Sequence, residues 1–91
     1  MEFAPEAKAI LYGSRARGDN RPDSDVDLLI LLPNYYEGIE FVKREEEISR
    51  FLYEISLNND IDISPIITVE KVFYQRITPF THNVKTEGIR L

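Results

Sequence analysis

Cysteine is absent from this 91-residue chain, which excludes disulfides and thiolate metal sites and makes a reducing cytosol the easier compartment. No stretch approaches the roughly eighteen consecutive apolar residues of a membrane helix, and no secretory signal pattern opens the chain. The expectation is a soluble cytoplasmic protein with no membrane contact. Repeats and low-complexity segments are missing as well. Net positive charge is lacking: 16 acidic residues outweigh 11 Lys and Arg to give a formal net charge of −5, whereas a domain that holds a nucleic acid by its backbone needs a basic footprint. Extended nucleic-acid binding is therefore not expected. Histidine is nearly absent too; His82 stands alone in a terminal segment and reads as a bystander.

What is present suits a folded domain. The hydrophobic content is 43% and the aromatic content 11%, ordinary values for a globular chain. The length allows one domain, residues 1–91, with a single modest core. Residues 9–12 read as a short strand ended by Gly13, and Ser14 can cap a turn of helix that Gly18 stops. Residues 19–24 are a loop by composition. Residues 25–32 predict a strand whose last five positions are continuously apolar, as for a strand buried on both faces.

Residues 35–57 predict one long helix with Phe41, Ile48, Phe51, Leu52 and Ile55 inward and Lys43, Glu45, Glu46 and Arg50 toward water. Arg44 interrupts that stripe and is expected to snorkel. Residues 60–67 alternate as a third strand, and Pro65, with no N–H to give, places it at a sheet edge or a bulge. A helix over 69–76 and a last one ending at Glu87 before Gly88 complete a βαβαβαα order. The fold class is α/β: a small sheet packed by helices.

The chemistry concentrates between Gly13 and Leu32. Strand alternation puts Asp25 and Asp27 on one face, with Asp23 joining them if the extended geometry begins that early, and carboxylate oxygens are the donors Mg²⁺ prefers. The Asp25–Asp27 pair alone reads more readily as a solvated strand start. Asp62, on a strand that a helical crossover can set parallel to the first, adds a third carboxylate. Three such charges on neighbouring strands repel one another without a cation, and they suit two metals clamping a phosphoryl or nucleotidyl transfer. Gly13 lets the backbone approach a phosphate, and Ser14 can hydrogen-bond terminal phosphates. Arg15, Arg17 and Arg21 reverse the sign locally, which favours a small polyphosphate, and Arg15 or Arg17 can neutralise a departing pyrophosphate. The aromatic pairs Tyr35–Tyr36 and Phe73–Tyr74 read as packing, and Glu45–Glu47 as a solvated helix face.

The run GSRARGDNRPDSDVDLLI resembles the signature of the minimal nucleotidyltransferases, small members of the DNA polymerase β superfamily. Gly13, Ser14, Ala16, Arg17, Gly18, Ser24, Asp25, Asp27 and Leu28 fill its fixed positions. Ile61-Asp62-Ile63 is similar to the family's third element, and residues 84–88 to its C-terminal ending. The resemblance implies a polymerase β-like mixed sheet with the first two strands antiparallel. It implies nucleotide binding by Gly13, Ser14, Arg15, Arg17 and Ser24, with metal ligation and catalysis by Asp25, Asp27 and Asp62. Asp60 competes for the third position; Asp62 is favoured because isoleucines flank it. Family members carry a full helix before the glycine-serine turn, where this chain has a shorter lead-in. No second, substrate-binding domain is expected here.

The function implied is transfer of a nucleoside monophosphate, AMP from ATP, to a hydroxyl with Mg²⁺ as cofactor. The resemblance points to a tyrosine of a HEPN-type partner as acceptor, with this chain as the antitoxin. A non-catalytic module that neutralises a helical partner by contact is the alternative. Transfer onto an antibiotic is a third reading, disfavoured without an added substrate domain.

Overall fold

Five consecutive side chains, Leu28 to Leu32, are buried, and they can be so only because both faces of their strand are covered. The computed structural model describes residues 3–19, 21 and 25–91. Its elements are β1 (Lys8–Tyr12), α1 (Ser14–Arg17), β2 (Val26–Leu32), α2 (Gly38–Asn59), β3 (Ile63–Val69), α3 (Glu70–Gln75), α4 (Pro79–Glu87) and β4 (Ile89–Arg90). They form one mixed sheet in the order β3-β2-β1-β4. β1 lies antiparallel to β2 and to β4, while β2 and β3 run parallel across the α2 crossover. Both pairings of β2 match the sequence-based expectation.

Alternation along β2 divides the core. Leu28, Ile30 and Leu32 pack with Ile48 and Leu52 of α2 and with Ala4, Ala7 and Ala9. Leu29 and Leu31 pack with Phe73 of α3 and Val84 of α4. Phe41, Phe51 and Ile55 flank the first cluster, so the inward face expected of α2 is the one observed. β3 is indeed an edge strand. Val26 N–H donates to the Asp62 carbonyl, so even-numbered residues of β3 bond to β2 and Pro65 turns its missing donor to the open edge. That blunts the edge against further strand pairing.

Several boundaries differ from the sequence-based expectation. The long helix begins at Gly38, not at residue 35. Pro33 and Asn34 open a turn closed by Tyr36 N–H to the Pro33 carbonyl at 3.2 Å, and the Asn34 side chain accepts from the Lys71 N–H at the start of α3, 2.7 Å. The helix also runs through Asn59 and stops only at Asp60, which is left-handed (φ 51, ψ 45) and donates its N–H to the Ser56 carbonyl. Aspartate is among the few non-glycine residues that tolerate this conformation. β3 consequently starts at Ile63 instead of at residue 60. Thr78-Pro79 does separate two helices, and it also starts the second: Thr78 and Thr81 form a reciprocal cap with Pro79 in the first turn. β4, two residues long, was not expected; Gly88 ends α4 and the chain turns back beside β1.

Arg44 does more than snorkel. Its guanidinium bonds to Glu6 at 2.8 Å, to Glu47 at 2.9 Å and to the Phe3 carbonyl at 3.2 Å, and it lies 5.3 Å from the Phe3 ring centroid. Phe3 stacks on Phe51 at 4.4 Å, and the Tyr36 hydroxyl donates to Glu6 at 3.2 Å. The lead-in before β1 is thereby fastened along α2.

Candidate active site

The end of the sheet where β2 begins carries the acidic residues. The parallel ladder pairs Val26 with Ile63 and Asp27 with Ser64, and the Val26 N–H to Asp62 carbonyl bond of 2.8 Å sets Asp25 beside Asp62. Paired residues of neighbouring strands point to the same face, and adjacent strands lie about 4.8 Å apart. Asp25, Asp27, Asp62 and Ser64 thus share a face, the one that carries Leu29 and Leu31 further along β2. The Ser64 hydroxyl donates to the Asp25 carboxylate at 3.3 Å, which ties the two strands together across this end. Asp25 and Asp62 are exposed and Asp27 is half-buried.

Gly13 sits against Asp27. Its backbone (φ 77, ψ −157) caps α1, and its carbonyl accepts from the N–H groups of Ala16 and Arg17 at 3.1 Å each. A Cβ added there would overlap the Asp27 carboxylate. Glycine is thus required twice, by a conformation other residues scarcely reach and by the space beside the Asp27 carboxylate. Tyr12, the residue before it, pairs with Asp27 across the β1–β2 ladder. Burial, and secondarily the Asp27 charge, push its hydroxyl pKa up, and its ring meets Phe80 edge-on at 5.4 Å.

The residues expected to bind nucleotide fall on different footings. Gly13, Ser14 and Arg15 lie together at the β1–α1 junction, Ser14 and Arg15 half-buried. Arg17 bonds to Glu87 at 3.0 Å and to Asp19 at 3.2 Å, and the Glu87 bond is the main reason its pKa rises. It ties α1 to the end of α4. Ser24, expected to bind nucleotide, and Asp23, expected on the acidic face, lie outside the described residues. Asp60 ends a helix and does not join the strand face. His82 is exposed on α4 and Phe73 belongs to the core. Tyr35 and Tyr36 face each other at 4.8 Å at the opposite end of β2.

Among the described residues, no group of three or more His, Asp or Glu side chains is gathered closely enough to enclose an ion. The donor set nonetheless fits a hard divalent cation: all its ligands are carboxylate oxygens, they stand in register on one face, and a side-chain-free glycine adjoins Asp27. Sequence reasoning gave no role to Tyr12, Ser64 or Glu87. For Ser64 the signal was its alternation with Asp62; Glu87 lay in the ending that resembles the family's, but nothing local showed its partner, seventy positions away. A cavity of about 340 Å³ opens beside Asp62 between Tyr53, Ser56, Leu57 and Asp60. A more apolar one of about 330 Å³ lies at the far end of β2 and β3, lined in part by Tyr36, Phe41, Val69 and Val72.

Comparison with known proteins follows the same lines. A family model described as a nucleotidyltransferase domain matches residues 2–86. A Methanocaldococcus jannaschii protein, provisionally named a protein adenylyltransferase, is 36% identical over 84 residues, which is 92% of this chain and 77% of the relative. Among solved structures, a chain from the crystal structure of a toxin–antitoxin with AMP-PNP superposes with a TM-score of 0.59 at 18% identity, over 94% of this chain. That likeness concerns the fold, and this chain spans 60% of the length of that one. With the glycine-serine turn against Asp27 and the family match running nearly end to end, the chain belongs to the minimal nucleotidyltransferases of the polymerase β-like superfamily and is a nucleotidyltransferase.

Proposed function

We propose that this nucleotidyltransferase moves AMP from ATP to a hydroxyl on a protein, a tyrosine of a HEPN-type partner, and so acts as the antitoxin of a toxin–antitoxin pair. The observation that carries the reading is the register of β2 and β3, which aligns Asp25 with Asp62 and Asp27 with Ser64. The relative's provisional name supports a protein acceptor, and the toxin–antitoxin neighbour supports the partner class. An acidic chain suits a protein acceptor better than a polyanion.

In this scheme Gly13 and Ser14 seat the triphosphate. Arg15 or Arg17 neutralises charge on the leaving pyrophosphate. The acceptor oxygen attacks the α-phosphorus as the bond to the bridging oxygen breaks; pyrophosphate departs with that electron pair, and Asp62 takes the hydroxyl proton. Asp25, Asp27 and Asp62 would hold Mg²⁺, which supplies charge neutralisation of the phosphates when bound.

The test uses ATP labelled at the α-phosphate, Mg²⁺ and a purified HEPN-domain partner, with wild type, Asp25→Ala and Asp62→Ala. Label should pass to the partner with wild type and fall by at least about a hundredfold with either variant. No transfer by any of them, with partner binding intact in all, would replace this reading with neutralisation by contact.

A further inference from the structure

The outward face of α2 carries a pattern that no part of the transfer chemistry explains. Four large apolar side chains lie exposed on it: Ile39 at 63%, Val42 at 43%, Tyr53 at 63% and Leu57 at 64%. At 100° per residue they fall on one stripe roughly opposite the buried Ile48, about 27 Å long from Ile39 to Leu57. The middle of the stripe is polar and exposed, with Glu46 and Arg50 on its centre line and Lys43 and Glu54 along one flank. None of these four charged groups belongs to an ion pair among the described residues.

We infer that a second copy of this chain covers this face, with the two α2 helices packed antiparallel about a two-fold axis at the level of Ile48. The stripe is self-complementary about that point. Ile39 of one copy meets Leu57 of the other, and Val42 meets Tyr53 on the same flank. Glu46 meets Arg50, and Lys43 meets Glu54 on the opposite flank. The two-fold axis repeats each contact, as an isologous interface requires. The antiparallel setting opposes no like charges along the centre line, whereas a parallel pair in register would set Glu46 against Glu46 and Arg50 against Arg50. Since α2 covers the sheet face opposite Leu29, Leu31 and Asp27, pairing leaves Asp25 and Asp27 open in both copies, while Tyr53 and Leu57 also border the cavity beside Asp62. This inference is independent of the acceptor and the nucleotide.

Charge reversal tests it. Sedimentation equilibrium of the full chain from micromolar to near-millimolar concentration should show a monomer–dimer equilibrium. Glu46→Arg or Arg50→Glu alone opposes like charges twice, and should raise the dissociation constant at least about tenfold with an unchanged circular dichroism spectrum. The double variant Glu46→Arg/Arg50→Glu should return it to within about threefold of wild type. A chain that stays monomeric throughout overturns the inference. So does a dimer indifferent to the single reversals, or one that the double variant does not restore.

Discussion

A single missing side chain decides how the site is built at the residue scale. Gly13 holds a φ of 77 and abuts the Asp27 carboxylate, so Gly13→Ala meets both backbone strain and a clash. The expected outcome is a loss of roughly 1–3 kcal/mol of stability and near-abolition of label transfer, read by denaturant unfolding and the α-phosphate assay. Asp60 behaves oppositely. Its left-handed backbone suits glycine, so Asp60→Gly should keep its melting temperature and its transfer, whereas Asp62→Asn should keep the fold and lose transfer. Both aspartates stand in one alternating run, and the sequence alone could not rank them except by their isoleucine neighbours. The difference lies in the backbone: one closes α2, the other lies in register with β2. The glycine-serine turn and the Asp25–Asp27 pair were legible because their spacing is local. Tyr12 and Ser64 were not, because what gives them meaning is a pairing across strands.

At the scale of elements, the strongly patterned pieces were legible and the short or context-held ones were not. The apolar run of β2 and the inward stripe of α2 announce themselves, since burial fixes their side chains. β4 has only two residues and exists because β1 offers it an edge. The true start of α2 depends on Asn34 reaching α3. The lead-in yields a pH prediction. The Arg44 hydrogen bond holds the Glu6 carboxyl below the ordinary glutamate pKa. A depressed folded-state pKa contributes stability above the unfolded value and loses it as pH falls through the folded one. Thermal stability should therefore decline on acidification below about pH 4.3. Glu6→Gln should lose under about 1 kcal/mol of stability at neutral pH and show a shallower acid decline.

At the scale of the whole molecule, charge and shape restrict what the site can meet. The extents are 37 × 33 × 18 Å, a slab whose thin dimension is set by one sheet with a helical layer on either face. With a formal charge of −5 such a slab has little to offer a polyanion. Mixing it with single-stranded or duplex RNA at about 0.15 M salt should leave the RNA's electrophoretic mobility unchanged.

The crossover between β2 and β3 also carries a kinetic consequence. β1 and β2 can close as neighbours early, because few residues separate them. Asp62 reaches Asp25 only after all of α2 has formed and swung β3 into the sheet, and such non-local parallel pairing is slow. During synthesis, then, the glycine-serine turn and two of the carboxylates would emerge before the third could join them. Capacity for chemistry would arrive as nearly the last event of folding, and a nascent chain halted before residue 62 would have the look of the site without its reactivity.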